Sequence, residues 1–394
     1  MSYQMIRPII YLSIFLFLPH GNAFAGHQAR QLGLKDWLYP SGKKNQITDV
    51  PGVKIGHETV SFGKGKLRVG KGPARTGVTV VIPAEGDLWE SKVLGGGYVL
   101  NGNGEAAGLM WLQESGIIEG PIALTNTVSV SDVHGALTDW TLTRHPEVPS
   151  LMPIVLECDD SSLNDQHGRH IKSEQVFRAI TNANKDFKEG SVGAGTGMIS
   201  FDFKSGIGSA SRLVEMRLSN GKRGKTYSLG ILVNSNIGTG TRQIFRLRGV
   251  PIGKEIKDLL PIEKDWHPAG SGSIVVIVAT DAPMDSRQLK RLAKRALHGV
   301  SRLGGVVYNG SGEIAIAFST ANRIPNTPTE LISIQYMPDS AQNEFFEAVV
   351  EATEEAVINS LLSAEYIEGR DGNTAHSLPA DRLRKILKKY GVVK

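Results

Sequence analysis

Residues 270–320 read GSGSIVVIVATDAPMDSRQLKRLAKRALHGVSRLGGVVYNGSGEIAIAFST, with two apolar runs that each follow a Gly-Ser-Gly triplet. Between the runs, Asp285 has the position of an N-cap, and apolar residues recur at helical spacing as far as Gly304-Gly305. A helix that links two strands of one sheet in this way returns the second strand parallel to the first. We therefore expect the two strands to be neighbours and to start at the same end of the sheet.

These strand starts bring together three side chains that can carry chemistry. Ser273 opens the first run, while Ser311 and Glu313 lie two apart and so share one face of the second strand. Taken alone, Gly-Ser before a strand indicates only a turn. Together the three residues offer a nucleophile, a second hydroxyl and a carboxylate, but no histidine to act as a base.

A serine without a histidine can use a free α-amine as its base, because the pKa of that amine is near ~8. N-terminal hydrolases use the nucleophile's own amino group in this way. Ser273 would gain such an amine if its hydroxyl attacked the Gly272 carbonyl and the peptide bond broke. Glycine before the serine permits the strained backbone that this attack needs. The pattern therefore suggests a chain that cuts itself between Gly272 and Ser273.

The rest of the chain predicts a layered fold. Strand-like runs rich in Val and Ile, bounded by Gly or Pro, recur as TGVTVVIP, GPIALTNTVSV, LMPIVLEC, YSLGILVNSN and ELISIQYM. A second long amphipathic helix is predicted from about Asp339, and a short helix from Ala106 to Gln113. The polar segment 159–188 indicates an excursion or helical hairpin, and 267–272 an exposed linker. Because strict strand–helix alternation is missing from the first half, a mixed-sheet sandwich is favoured over a doubly wound parallel fold.

Composition excludes several classes of protein. The chain has 394 residues, 40% hydrophobic and 21% charged, which is ordinary for a globular protein with a large core. The net charge of +5 is mild, and the basic C-terminal segment 381–394 indicates a solvated helix face rather than a nucleic-acid module. Cys158 is the only cysteine, so no intrachain disulfide is possible.

The first residues predict export. MIRPIIYLSIFLFLPHGNAFA has Arg7, an apolar run from Ile9 to Leu18, and an Ala-x-Ala cleavage site that ends at Ala25. The run of about ten residues is short for a membrane span, which needs about twenty. We predict a signal peptide over residues 1–25 and a periplasmic or secreted protein with no stable membrane span after its removal. A retained membrane anchor is the alternative.

Familiar enzyme signatures are missing. AGSGSI does not fit the G-x-S-x-G nucleophile elbow, and GAGTG at 193–197 lacks the spacing of a dinucleotide loop. His167 and His170 in HGRH lack a third metal ligand, so no metal site is predicted. His134 is the best placed histidine for a catalytic triad, and we interpret it as a loop residue.

The chain resembles the DmpA-type N-terminal-serine aminopeptidases, which include β-peptidyl aminopeptidases and L-aminopeptidase/D-amidase/D-esterases. The resemblance covers nearly all of the chain after the predicted signal. It is carried by the ordered blocks ITDVPGVKIGH, RTGVTVVIP, GGGYVLNGNGEAAGLMWLQESG, PIALTNTVSV, SVGAGTGM, GIGSASR, GSIVVIVATDAP, NGSGEIAIAFST and GRDGNTAHSLP.

The resemblance implies a fold and a processed architecture. The fold would be a four-layer αββα sandwich, similar to Ntn hydrolases but with the strand connectivity shared with ornithine acetyltransferase. Self-cleavage would give an α-chain of residues 26–272 and a β-chain of residues 273–394, which together form one catalytic domain. The resemblance also implies a tetramer of αβ units and no metal or organic cofactor.

The resemblance assigns roles to residues as well. It implies that Ser273 is the nucleophile, with Ser311 and Glu313 as the assisting hydroxyl and carboxylate. Asn236 in LVNSNIG matches the oxyanion-stabilising asparagine, and Glu157 in PIVLEC matches a glutamate near the substrate's ammonium group. The substrates would be small peptides, amino-acid amides or esters.

One segment departs from the family pattern. After Glu157 the family usually has ET-x-DG-x-LNDI, whereas this chain has ECDDSSLNDQ. Asp159 is in the altered segment, and it is expected to line the substrate pocket and to favour a basic or small polar residue. Two other functions remain open. They are acyl or aminoacyl transfer, as in the related transferases, and an unprocessed periplasmic binding protein.

Overall fold

The computed structural model describes residues 28–264 and 270–394. The predicted signal peptide at 1–25 and residues 267–269 of the expected exposed linker lie outside the described residues. The described end of that linker is not exposed, since Gly270 is buried and Ser271 and Gly272 are half-buried. Within the described ranges, no helix is long and apolar enough to cross a bilayer.

Regular elements follow one another along the described ranges with short connections. The strands there are β1 (Lys54–Phe62), β2 (Ala74–Ile82), β3 (Ser91–Gly102), β4 (Ala106–Ala107), β5 (Ile117–Ile118), β6 (Ile122–Thr125), β7 (Ile154–Glu157), β8 (Ile199–Ser200), β9 (Phe203–Lys204), β10 (Ile207–Arg217), β11 (Arg223–Asn236), β12 (Gly272–Thr280), β13 (Ser311–Pro325), β14 (Ile367–Glu368) and β15 (Thr374–Ala375). The α-helices are α1 (Gln28–Gln31), α2 (Leu109–Ser115), α3 (Val130–Arg144), α4 (Ser173–Thr181), α5 (Ile252–Glu255), α6 (Ser286–Arg302), α7 (Asn343–Leu362) and α8 (Ala380–Lys389).

A six-stranded sheet with the order β10-β11-β12-β13-β3-β5 contains β12 and β13, the two strands that begin at the Gly-Ser-Gly triplets. β12 and β13 are parallel neighbours, and α6 connects them. The other pairs in this sheet are antiparallel. Asp285 caps α6 by accepting a hydrogen bond from the N–H of Gln288 at 2.7 Å. The strand–helix–strand unit and its cap are thus confirmed.

A five-stranded sheet with the order β1-β2-β6-β7-β4 packs face to face against the first sheet. Their shared core joins Val81, Leu124 and Leu156 of the five-stranded sheet to Val275 and Ile316 of the six-stranded sheet. Because both faces of the six-stranded sheet are covered, eight of the nine residues of β12 are buried.

Helices cover the outer face of each sheet. α6 and α7 form one core with β11, β12 and β13, in which Leu292 and Phe345 are fully buried. α3 and α4 form another core with β2 and β7, which includes Val133 and Val176. The order of layers is helix, sheet, sheet, helix, so the predicted αββα sandwich is confirmed.

Four local predictions need correction. ELISIQYM forms no strand. The Asn322 side chain bonds both the N–H and the C=O of Gln335 at 2.9 Å, and Leu331 is 97% exposed, so the alternating pattern finds no neighbouring strand. Segment 159–188 holds a single α-helix, α4, rather than a hairpin. The short helix begins at Leu109 because residues 106–107 pair with β7. His134 lies within α3, not in a loop.

Candidate active site

The starts of β12 and β13 lie side by side, in register. Gly272 is opposite Ser311, and Ser273 is opposite Gly312. On the other side of β12, Ser273 is opposite Asn236, the last residue of β11. The parallel pairing therefore brings the two Gly-Ser-Gly starts to one end of the six-stranded sheet, as the sequence predicts. The side chains there divide between the two faces: Ser273 is on the face of Val275 and Ile277, in the inter-sheet core, whereas Ser311 and Glu313 are on the helix-covered face with Ala315 and Ala317.

The side chains gathered there are withdrawn from solvent. Ser273, Ser311, Glu313 and Asn236 are each at most 7% exposed. Ser273 Oγ and Glu313 Oε2 are buried without a hydrogen-bond partner among the described residues. Buried polar atoms are rarely left unpaired. These two atoms thus have bonding capacity available for a reacting group.

Asn236 is held so that one amide hydrogen remains available. Its Oδ1 accepts the N–H of Ile199 at 2.9 Å, and its Nδ2 donates to the carbonyl of Asp159 at 2.8 Å. A primary amide has two N–H groups, and the second has no partner among the described residues. Asn236 can therefore donate a hydrogen bond to a charge that develops beside Ser273.

Ser311 and Glu313 form a second polar group on the adjacent strand. The Ser311 hydroxyl donates to the carbonyl of Tyr308 at 2.8 Å, and Asn101 Nδ2 donates to the carbonyls of Tyr308 and Ser311. Burial raises the pKa of Glu313, and Ser311 partly opposes this. A carboxyl with a raised pKa holds its proton closer to neutral pH and is therefore a better proton donor there.

Glu157 reaches the site from the facing sheet. It ends β7, where Oε1 accepts the N–H of Glu105 at 2.9 Å and Oε2 accepts the hydroxyl of Thr127. Burial raises its pKa, and these two hydrogen bonds lower it. A Cβ built on Gly104 would lie 3.0 Å from Glu157 Oε1 and 3.9 Å from Gly312 Cα. One glycine backbone thus separates Glu157 from the start of β13.

Cys158 fills the space between the two sheets at this end. Its thiol is fully buried in the inter-sheet core and donates to the carbonyl of Asn234 at 3.5 Å. Burial raises the pKa of the Cys158 thiol, and nearby Ser273 partly opposes this. The thiol is consequently protonated and acts here as a packing group.

Position 272 requires glycine because the backbone of Asn236 and Ile237 passes close to its Cα. A Cβ at this position would lie 2.5 Å from the Asn236 carbonyl oxygen and 2.7 Å from that of Ile237. Real Cβ atoms essentially never show such contacts, and both neighbours are backbone. A side chain at 272 would therefore displace the peptide bond that precedes Ser273.

Two buried ionisable residues near the site escape sequence reasoning. Lys204 is fully buried, and Nζ donates to the carbonyls of Gly195 and Met198 at 3.0 and 2.9 Å, within the loop that carries Ile199. Burial lowers the pKa of Lys204 to about 7. Burial raises the pKa of Asp160 to about 8. In the sequence, the glycine-rich block SVGAGTGM indicates a tight loop here, but nothing in it predicts that the loop carbonyls bind Lys204.

One surface group within the described ranges has the spacing of a metal site. Glu90, His145 and Glu147 bring their ligand atoms within 4.8 Å of one another. Both glutamates are more than half exposed, and His145 Nε2 already bonds Asp87 at 2.8 Å. None of these residues belongs to the group around Ser273.

A buried serine at the start of a strand, in an αββα sandwich, is typical of N-terminal-nucleophile hydrolases. The model of Peptidase family S58 matches residues 45–375. Beta-peptidyl aminopeptidase BapA of Sphingosinicella microcystinivorans is 43% identical over 377 residues, which cover 93% of each chain. The chain belongs to Peptidase family S58.

Solved structures agree. The PH0078 protein from Pyrococcus horikoshii OT3 has a TM-score of 0.85 and 50% identity, covering 92% of this chain and 99% of its own. The L-aminopeptidase D-Ala-esterase/amidase from Ochrobactrum anthropi, described as a prototype for the serine aminopeptidases and a variant of the Ntn hydrolase fold, has a TM-score of 0.83 and 35% identity, covering 93% and 99%. The predicted family and fold are confirmed, and the protein is a hydrolase of the aminopeptidase class.

Proposed function

We propose that this aminopeptidase matures by cutting itself between Gly272 and Ser273. The Ser273 hydroxyl adds to the Gly272 carbonyl carbon, the peptide C–N bond breaks, and the proton passes to the departing nitrogen. Water then hydrolyses the resulting ester. The products are an α-chain that ends at Gly272 and a β-chain that begins with a free α-amine on Ser273.

The mature site then hydrolyses substrate through the same atoms. The α-amine of Ser273 takes the hydroxyl proton, and Oγ attacks the carbonyl of the substrate's N-terminal residue. The free N–H of Asn236 stabilises the oxyanion, where one such donor is worth roughly 3 kcal/mol. By the family resemblance, Glu313, with Ser311 beside it, passes a proton to the leaving amine. Water then attacks the acyl-enzyme: its proton restores Glu313, the α-ammonium group returns its proton to Ser273 Oγ, and the acid product leaves.

Glu157 determines which carbonyl of the substrate reaches Ser273 in this mechanism. Its carboxylate accepts two hydrogen bonds from the described residues, one to each oxygen, which leaves capacity for an ammonium group. A substrate amine held there places the first carbonyl, rather than a later one, at Ser273. We include β-peptides among the substrates because the relatives with 43% and 40% identity are named beta-peptidyl aminopeptidases. Amino-acid amides and esters would use the same acyl chemistry.

The observation that carries the proposal is the register at the start of β12. Ser273 is directly opposite Asn236, so the nucleophile and the proposed oxyanion donor are on one face of the sheet, while Ser311 and Glu313 flank Gly312 at the same end of the adjacent strand. We also propose export to the periplasm or medium, from the N-terminal sequence, and a tetramer of αβ units, from the family resemblance.

Intact mass and N-terminal sequencing of the purified protein test self-cleavage. Two pieces are expected, the smaller beginning at Ser273. Ser273→Ala should stay uncut and should not hydrolyse aminoacyl p-nitroanilides, while Ser273→Cys, which keeps a nucleophile, should retain measurable cutting. An uncut wild-type chain, or a Ser273→Ala variant that still cuts and hydrolyses, would refute the proposal.

A further inference from the structure

A small polar pocket lies beside Asn236 and Ser271, next to the start of β12. Asp159, Ser162, Thr239 and Ser271 contribute to its lining, together with Asn236 itself. Among the described residues, Asp159 is the only charged one in that lining. The backbone carbonyl of Asp159 accepts a hydrogen bond from Asn236 Nδ2 at 2.8 Å, and Asn236 pairs with Ser273, so the backbone of Asp159 lies close to the strand start that carries the nucleophile.

This pocket is on the acyl side of the site. Gly270 N–H donates to the carbonyl of Thr239 at 3.1 Å, and a Cβ on Gly238 would lie 2.2 Å from the Ser271 carbonyl oxygen. The chain ahead of the Gly272–Ser273 bond therefore runs along this wall. If the same serine attacks Gly272 during processing and substrate during turnover, the substrate's acyl residue takes the place of that chain. Its side chain then meets the surface that Ser271 meets now.

The Asp159 carboxylate is fixed but not neutralised. Oδ1 accepts the N–H of Ser161 at 2.8 Å and Nε2 of Gln166 at 2.9 Å. Asp159 is exposed and forms no ion pair with another described residue. The cation on the neighbouring segment, Arg370, donates to the Ser161 carbonyl at 2.6 Å and to Asp371 at 3.0 Å. A fixed carboxylate with a spare oxygen is a binding group for ammonium or guanidinium.

We propose that Asp159 selects substrates whose N-terminal residue has a cationic side chain. Glu157 would hold the backbone ammonium group and Asp159 the side-chain cation, so the acyl residue would be held by two carboxylates two positions apart. The hydroxyls of Ser162 and Thr239 would accept the remaining N–H groups. This inference rests on the proposed function, because it takes Ser273 as the nucleophile that defines the acyl side.

The test compares kcat/KM for the p-nitroanilides of lysine and norleucine, whose side chains differ chiefly by the charge. The p-nitroanilides of the corresponding β-amino acids, β-homolysine and β-homonorleucine, are assayed as well. The ratio of kcat/KM is calculated for whichever pair, α or β, the enzyme hydrolyses. The variants are Asp159→Asn, whose amide keeps an oxygen for Ser161 and Gln166, and Asp139→Asn. Asp139 is an exposed aspartate of α3 that lines none of the site, so its variant controls for the loss of one surface charge.

Wild type should prefer lysine by about tenfold, the usual size of one charge-assisted hydrogen bond at a partly exposed site. Asp159→Asn should lower the lysine-to-norleucine ratio of kcat/KM to about one, mainly by raising KM for the lysine substrate. Raising the ionic strength from about 0.05 to about 0.5 M should weaken the preference in wild type but not in the variant. Asp139→Asn should behave as wild type.

Two failures are distinguishable. If the anilides are hydrolysed but the lysine-to-norleucine ratio is the same in wild type and Asp159→Asn, the inference about Asp159 is wrong and the proposed function stands. If cut wild-type protein hydrolyses neither pair, the proposed function fails and the inference fails with it.

Discussion

Replacing Gly272 with alanine should block self-cleavage by steric displacement. The new Cβ would lie 2.5 Å from the Asn236 carbonyl oxygen, whereas ordinary contact begins at 3.4 Å, so the backbone must move by 3.4 − 2.5 = 0.9 Å. The atoms in the way are backbone atoms of β11 and of the residue after it, which side-chain rotation cannot relieve. A misplacement of about 1 Å at a reacting centre can lower a rate about 100-fold. We expect self-cleavage to slow by about that factor.

The matched control is Gly310→Ala, at the equivalent triplet before β13. A Cβ there would have its nearest neighbour, Ser271 Oγ, at 3.5 Å, which is ordinary contact. Neither glycine has a left-handed φ, so alanine is conformationally allowed at both positions and only the close approach differs. Cut and uncut chains are followed over time by denaturing gel and intact mass. Self-cleavage of Gly272→Ala at the wild-type rate would refute the steric argument.

The overpacking cost is measured separately. Each glycine variant is combined with Ser273→Ala, so that both chains stay uncut and their thermal unfolding can be compared. Overpacking of a tight site typically costs about 1–3 kcal/mol. Gly272→Ala should unfold at a lower temperature than Gly310→Ala. Equal unfolding temperatures, combined with lost cleavage, would mean that the effect is confined to the geometry of the reacting bond.

Three further changes probe the support of the site. Asn236→Ala should slow both self-cleavage and anilide turnover by about 100-fold, because one oxyanion donor is lost; unchanged rates in stopped time courses would contradict that role. Glu157→Gln should raise KM for substrates with a free amine while N-acetylated analogues remain equally poor, which steady-state kinetics can check. Lys204 has a folded-state pKa of about 7 against an ordinary 10.5, so the folded protein binds fewer protons, and its contribution to stability is lost as pH falls from about 10 to about 7. The free energy of unfolding in urea is measured in a Ser273→Ala background. Between pH about 7 and about 10 it should rise by up to about 4 kcal/mol more in the protein that keeps Lys204 than in the Lys204→Met variant. An equal rise in the two proteins would contradict the buried, deprotonated lysine.

The strand–helix–strand unit was predictable because local rules act together there. An N-cap at Asp285, a helical repeat and two Val- and Ile-rich runs leave one simple arrangement, which puts Ser273 beside the start of β13. ELISIQYM shows where such rules fail, since alternation makes a strand only when a neighbour offers free N–H and C=O groups, and here the Asn322 side chain takes those of Gln335.

The polar support of the site was not predictable from a single sequence. The contacts of Asn236 with Ile199 and with the Asp159 carbonyl join three distant segments, and no local pattern specifies them. Lys204 is in ISFDFKSGI, a mixed polar and apolar stretch in which a solvated surface lysine is the ordinary expectation. Its burial becomes evident only once the loop folds its carbonyls around the ammonium group. Residue roles could therefore be inferred from family blocks, but the scaffold that holds them required coordinates.

The only cysteine of the chain, Cys158, can report how often the two sheets separate locally. Cys158 is fully buried between the two sheets, next to Ser273, and a disulfide reagent in the solvent reaches it only when the sheets part at that end. The rate of labelling under native conditions therefore counts local openings beside the nucleophile, without any introduced probe. Comparing that rate in uncut Ser273→Ala protein and in cut wild type measures how far breaking one peptide bond loosens the catalytic end.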